Sequence, residues 1–324
     1  MRLLILAAAA TFYLGLAGLV PADRAAADGT SRLDVVTTTS MIGDAARAIA
    51  GDRAEVTHLM GEGIDPHTYR QTRSDVVRLG EADLVFWNGL YLEAQLEELL
   101  LQLGERKPVV AVAEALPAEV LLESEEFEGR FDPHVWMDAG LWAEVVGAIR
   151  ETLIEHDPDG EPVYLANAES YLEEVAELDD YARSVLASVP ERARALVTAH
   201  DAFQYFGRAY DFEVIGIQGI STDSEAGLRE IEDLVSLIVE REIGAVFFES
   251  SVTDRNVRAL VEGAQARGHE LIVGGELFSD AMGSPGSYEG TYVGMIDHNV
   301  TTITRALDGE APELGMNGRL EAAM

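Results

Sequence analysis

PVYLANAESYLEEVAELDDYARSVLASV, residues 162–189, sets the architecture of the chain. Leu165, Ala168, Leu172, Val175, Leu178, Ala182, Val185 and Val189 recur at every third or fourth position, the spacing of one apolar stripe along a continuous helix. Pro162 stands near its start and Pro190 just past its end, the two places where a helix tolerates proline. At a rise of about 1.5 Å per residue the segment would run roughly 40 Å, enough to cross a small domain. It carries no clean heptads, which argues for an internal strut rather than a coiled-coil surface.

On both sides of this strut, short apolar runs alternate with helical periodicity, the mark of an α/β fold. Before it, strands are predicted at Leu33–Thr38, Ala54–Leu59, Asp83–Trp87 and Pro108–Val112. Helices are expected from Ser40, a good N-cap, to Ala50, over Leu92–Leu103, and over Ala139–Glu155. After it, strands at Ala195–Thr198, Phe212–Ile217, Gly244–Phe248 and Glu270–Val273 alternate with helices near Glu225–Glu240 and Asp254–Arg267. Ser224 precedes the first of these, and Thr253 is the expected N-cap of the second. The reading is two α/β lobes, residues 28–160 and 191–324, joined by a linking helix over 161–190. A chain of this length exceeds one compact core, which agrees with two lobes.

The charge is extreme: 23 basic against 58 acidic residues give −35. A phosphate backbone needs a basic face, so nucleic acid is excluded as a partner. Such a surface first of all keeps the protein solvated. Residues 1–27 read as a secretory signal peptide, with Arg2 as its basic start and an apolar run from Leu3 to Val20. Ala25-Ala26-Ala27 offers the cleavage site, and an uncleaved anchor is the alternative. The sequence contains no cysteine, which removes disulfides, thiolate metal sites and the usual lipid attachment point. A free periplasmic protein of a Gram-negative cell is expected.

Chemistry centres on a repeated tripeptide. Asp65-Pro66-His67 and Asp132-Pro133-His134 are two copies of one motif in a chain with only seven histidines and ten prolines. Proline fixes its own φ and drives the residue before it extended, so each histidine is presented from a stiff loop. In open α/β sheets ligands gather at the carboxyl ends of strands. His67, His134 and His200 all fall there, as does Asp280. An isolated histidine at a strand end is more often a hydrogen-bonding residue, and Ser-Asp beside glycine is also ordinary turn chemistry. Repetition of the tripeptide tips His67 and His134 toward metal ligation. Three neutral imidazoles suit a transition metal rather than calcium or magnesium. Glu249, ending a strand at the same crevice, could accept a hydrogen bond from a ligand imidazole and fix its tautomer; a capping or surface carboxylate is the alternative. His58, His156, His269 and His298 read as structural or surface residues.

Taken together, the runs Gly63–Tyr69, Asp83–Leu90, Asp132–Asp138, Thr198–Phe203, Gly219–Gly227, Phe247–Glu249 and Leu277–Asp280 resemble the zinc/manganese class of periplasmic solute-binding proteins that deliver metal to ABC transporters. The resemblance spans nearly the whole mature chain. It implies two lobes joined by a rigid helix, with the metal between them on His67, His134, His200 and Asp280. It further implies a membrane permease and a cytoplasmic ATPase as partners, and a monomeric carrier rather than an enzyme. Many manganese-type members carry Glu where this chain has His200. Zinc-type members carry His there, often with a histidine-rich loop and without the Asp ligand. This chain has both His200 and Asp280, and its segment Glu114–Arg130 holds no histidine. A His₃Asp set binds zinc more tightly than manganese, but selection in the cell depends on geometry and availability, so both metals stand, with ferrous iron a lesser candidate.

A secreted zinc hydrolase using the same three histidines, with Glu249 as base, is the rival reading. No His-Glu-x-x-His helix and no Gly-x-Ser-x-Gly elbow occurs, and Asp280 would close the open position that catalysis needs. An adhesin is disfavoured by the missing lipid anchor. Histidine ligands must be neutral to bind metal, so affinity is expected to weaken as the pH falls through about 6.

Overall fold

The computed structural model describes residues 32–124 and 127–320; the signal-peptide reading lies outside them. The first lobe holds β1 (Leu33–Thr37), β2 (Ala54–His58), β3 (Leu84–Trp87) and β4 (Val109–Ala111) in one parallel sheet of order β2-β1-β3-β4. Helices α1 (Ser40–Ala50), α2 (Arg73–Glu81), α3 (Glu97–Gly104) and α4 (Ala139–His156) accompany it. Then comes α5, Glu161–Leu186. The second lobe holds β5 (Ala195–His200) paired with β6 (Glu213–Gln218), and β7 (Ala245–Glu249) paired with β8 (Ile272–Leu277), all parallel. β5 and β7 lie side by side. Helices α6 (Gln204–Tyr210), α7 (Leu228–Glu240), α8 (Arg255–Ala266) and α9 (Tyr292–Ala306) complete it.

α5 is the strut that the periodicity demands. It packs against α1 and α4 of the first lobe and α9 of the second. The half-buried Asp44 of α1 accepts the Tyr171 hydroxyl of α5 at 3.0 Å and the Tyr292 backbone amide of α9 at 3.1 Å, tying three helices together. Trp142 of α4 stacks on Tyr292 of α9, ring centroids 5.0 Å apart. One continuous core runs from Val35 to Leu320 through Val175, Leu178 and Ala182 of α5, so the helix is embedded in both lobes. Among the described residues, no helix is long and apolar enough to cross a membrane.

Four local expectations are corrected. Leu165 is exposed at 44%; Tyr164 and Tyr171 take the buried face there, because the stripe drifts around the helix over its length. α3 begins at Glu97 rather than Leu92, since Gly89, Leu90 and Tyr91 all sit at positive φ and the chain cannot be helical until it has left that turn. Thr39 rather than Ser40 holds the N-cap position of α1, without a side-chain capping bond, which leaves Ser40 in the first turn. α7 and α8 start from Gly227 and Asp254 rather than Ser224 and Thr253; Glu230 reaches back to the Gly227 amide at 2.7 Å and does the work of a side-chain cap.

Leu178 and Leu165 therefore separate the two faces of α5. Leu178→Ala should cost about 2–5 kcal/mol in denaturant unfolding, and Leu165→Ala should fall within about 0.5 kcal/mol of the parent. Equal losses would mean that α5 is not embedded as described.

Candidate metal centre

His67, His134, His200 and Asp280 converge, each offering one atom, with all four atoms within 4.8 Å of one another. All four residues are buried, His67 at 3% exposure and the two other histidines at 0%. His67 comes from the loop after β2, and His134 from the segment between β4 and α4. His200 is the last residue of β5, inside the strand rather than after it. Asp280 lies three residues beyond β8. His67 Nε2 and His134 Nε2 face each other at 3.2 Å. The Asp280 carboxylate lies 3.2 Å from His200 Nε2, 3.4 Å from His134 Nε2 and 3.7 Å from His67 Nε2. These are ion-pair separations, yet both Asp280 oxygens and His200 Nε2 lack hydrogen-bond geometry to any partner.

The orientation of two of the three rings, His134 and His200, is fixed from behind. Asp132 Oδ1 takes the backbone amide of His134 at 2.9 Å and its ring Nδ1 at 2.7 Å. Glu249 Oε1 takes the backbone amide of His200 at 2.8 Å, and its other oxygen bonds His200 Nδ1. This pair forms because β5 and β7 lie side by side and end on His200 and Glu249 respectively. A neutral imidazole that donates from Nδ1 turns a bare Nε2 lone pair the other way. Both rings therefore turn Nε2 toward Asp280, where a proton or a cation must lie between the ring nitrogens and the carboxylate.

Burial alone would depress the His134 pKa, but Asp132, with Asp280 behind it, outweighs burial and pushes it up to about 9. Glu249 and Asp280 likewise hold His200 well above the ordinary histidine range. Burial pushes His67 down to about 3, against the pull of Asp280. Burial opposes the charge on Asp280, yet the facing imidazoles of His200 and His134 keep it well below the usual carboxylate range. Without a metal, protons on His134 and His200 hold the facing groups together.

A surrounding frame locks the second tripeptide. Asn88 Nδ2 donates to the Pro133 carbonyl at 3.1 Å, and the Tyr205 hydroxyl donates to the Asp132 carbonyl at 2.9 Å. Trp136 Nε1 donates to the Ser279 carbonyl at 2.9 Å, joining this loop to the one that carries Asp280. Glu93, wholly buried, accepts the Thr38 hydroxyl at 2.6 Å and the Asn88 amide at 2.8 Å. Burial raises its pKa to about 7 against these hydrogen bonds. Asp132, Asn88 and Glu93 are not singled out by the sequence reading. Asp132 could have been found, since it is the acidic member of the repeated tripeptide. The remaining histidines stand apart: His156, His269 and His298 each bond a backbone carbonyl, and His58 packs beside Gly43 and Gly61.

The sequence model described as zinc-uptake complex component A, periplasmic (ZnuA) matches residues 35–306, and the chain belongs to that family. It is similar to the manganese-binding lipoprotein MntA of Bacillus subtilis, 46% identical over 285 residues that cover 88% of this chain and 93% of that protein. It is similar to the zinc-binding protein TroA of Treponema pallidum, 48% identical over 283 residues covering 87% and 91%. The solved structure of that periplasmic zinc-binding protein superposes with a TM-score of 0.83 at 47% identity, covering 85% of this chain and 99% of that one.

The lesser of the two carboxylates that raise the His134 value, Asp280, can be removed while Asp132 keeps its bond to the ring. In metal-free Asp280→Ala protein, NMR titration of the ring should show the His134 pKa falling from about 9 toward the ordinary value near 6.5, because a lost anion destabilises the imidazolium. An unmoved value would mean that Asp280 does not face that ring.

Proposed function

We propose that the chain captures one divalent transition-metal ion, Zn²⁺ or Mn²⁺, outside the cytoplasm and hands it to the membrane permease of an ABC transporter driven by a cytoplasmic ATPase. The observation that carries this reading is the buried convergence of three imidazoles on a carboxylate whose two oxygens have no hydrogen-bond partner. His67, His134, His200 and Asp280 are the proposed ligands. Asp132 and Glu249 hold the rings of His134 and His200 so that Nε2 faces the ion. Four protein ligands fill a tetrahedral ion and leave no place for a reactive water, which supports a carrier over a hydrolase. Glu249 is spent on both the amide and the ring of His200, so it is not available as a base. Relatives named for manganese and for zinc stand at nearly equal identity, in keeping with a donor set that serves either metal; ferrous iron is the lesser candidate.

We take the domain limits as residues 28–160 and 191–324 with the linking helix over 161–190, a monomer in solution, and a cleaved signal over 1–27. Several relatives are named lipoproteins. This sequence has no cysteine to lipidate, which supports a free periplasmic protein.

Calorimetric titration of metal-stripped protein with each metal separately tests the reading. One-to-one binding is expected, strongly weakened by Asp280→Ala and weakened about 10-fold or more by Glu249→Gln. Failure to bind either metal would remove the proposal, and an unchanged Glu249→Gln affinity would remove that residue's role.

The pH profile follows from the protons that the ion must displace. His134 holds its proton up to about pH 9, so apparent affinity should climb until that pH and fall below it by about 10-fold per unit for each displaced proton. This puts the onset well above the value near 6 that unperturbed histidines would give. A flat profile between pH 6 and 9 would contradict it.

A further inference from the structure

The two Asp-Pro-His copies are built alike but used differently. In each, the aspartate Oδ1 accepts the backbone amide of the histidine at 2.9 Å. Asp132 then spends its bonding on the His134 ring. Asp65 does not touch the His67 ring. Its Oδ2 takes the Thr68 hydroxyl at 2.9 Å and reaches across the cleft to the Thr222 hydroxyl at 2.6 Å. Thr222 lies in the second lobe, in the loop between β6 and α7. A second side-chain bond reaches the loop that carries Asp65: Ser284 Oγ, between β8 and α9, donates to Glu62 Oε1 at 2.8 Å. Gly63 lies between these two points at φ +68°, and a Cβ placed there would stand 3.5 Å from the Ser250 carbonyl.

His67 thus differs from its partners in three ways. Asp65 leaves its ring unbraced, it is the least deeply buried of the three histidines, and its loop is tied across the cleft by hydroxyl-to-carboxylate bonds at its edge. We propose that the Asp65–Thr222 hydrogen bond is the latch that sets the rate of metal release, with His67 the ligand that leaves first. Asp65 is a positioning residue in this scheme, and Thr222 is the side of the latch that can be altered without touching any proposed ligand. The inference rests on the metal-carrier reading above.

The test is dissociation of zinc from loaded, full-length protein into excess chelator, followed by stopped flow. Thr222→Val removes the bond that crosses the cleft and should speed release by about 10-fold or more, as loss of a hydrogen bond to a charged group does, with the association rate unchanged. Thr222→Ser keeps the hydroxyl and should release at the parent rate. Thr68→Val removes a bond to the same Asp65 oxygen that stays within the loop, and should change release far less. Release unaltered in Thr222→Val, or sped equally by Thr68→Val, would overturn the latch. A protein that takes up no zinc in the prior titration fails the carrier reading, whereas a zinc-loaded protein whose release ignores Thr222 fails the latch alone.

Discussion

Three imidazoles and a carboxylate turned toward one point in a dry interior repel unless a proton or a cation lies between them, and the rest of this molecule is arranged to hold them in place. His67 Nε2 and His134 Nε2 stand 3.2 Å apart, with His200 and Asp280 closing the group. Left free, such rings would rotate to hydrogen-bond elsewhere, because an unmet polar group costs free energy when buried. Rotation is prevented at His134 and His200 by a carboxylate that grips both the backbone amide and the ring of the same residue. A grip at two points on one residue fixes the ring plane as well as its tautomer.

Those grips need accurate strand ends, and the fold supplies them. His200 and Glu249 close adjacent parallel strands, so sheet geometry alone brings them together. His134 has no strand beneath it and depends on side chains instead: Asn88 from the end of β3, Tyr205 from α6 and Trp136 through Ser279. Asn88 is held by the buried Glu93, at the turn where Gly89, Leu90 and Tyr91 take positive φ. Two consecutive non-glycine residues in that region are costly. The Glu93 bonds to the Asn88 and Gly89 amides, with the Glu114 carboxylate on Leu90, hold the turn in shape. α5 then keeps the two lobes at a fixed separation, since its core contacts extend into both.

Much of this was legible in the sequence, for reasons that differ by scale. The strands and α5 are written in periodicity, and periodicity survives whatever the lobes do. The four converging residues were legible because a stiff tripeptide repeated twice is informative and because strand ends collect ligands. Helix starts were not, since serine or threonine near a boundary is only one way to cap, and Glu230 reaching back to Gly227 does the same work. Leu165 misled because a stripe drawn at three- and four-residue steps drifts over the seven turns of a long helix. Above all, the different uses of Asp65 and Asp132 could not be read, because the side-chain bonds of each copy depend on what packs around it. What separates them is that Asp132 also bonds the ring of its own His134, whereas Asp65 turns its second oxygen to Thr222 of the other lobe.

Under the proposed function, protons and metal are alternative occupants of one charged hole. Without metal, Asp280 is held ionised while His134 and His200 are held protonated, so two positive charges stand among the carboxylates of Asp132, Glu249 and Asp280. A divalent ion brings the same two charges and releases two protons, so the buried cluster keeps its total charge. By the same count a monovalent ion would leave the dry site one negative charge worse off than the two protons did, at the cost that burial of unpaired charge carries. Charge balance of this kind disfavours monovalent ions before any question of size or donor softness arises. It also lets the metal-free form keep its shape, since attraction between imidazolium and carboxylate replaces attraction between metal and ligand. A carrier that must load and unload repeatedly is served by such an exchange, because the pocket is never left with bare lone pairs facing one another.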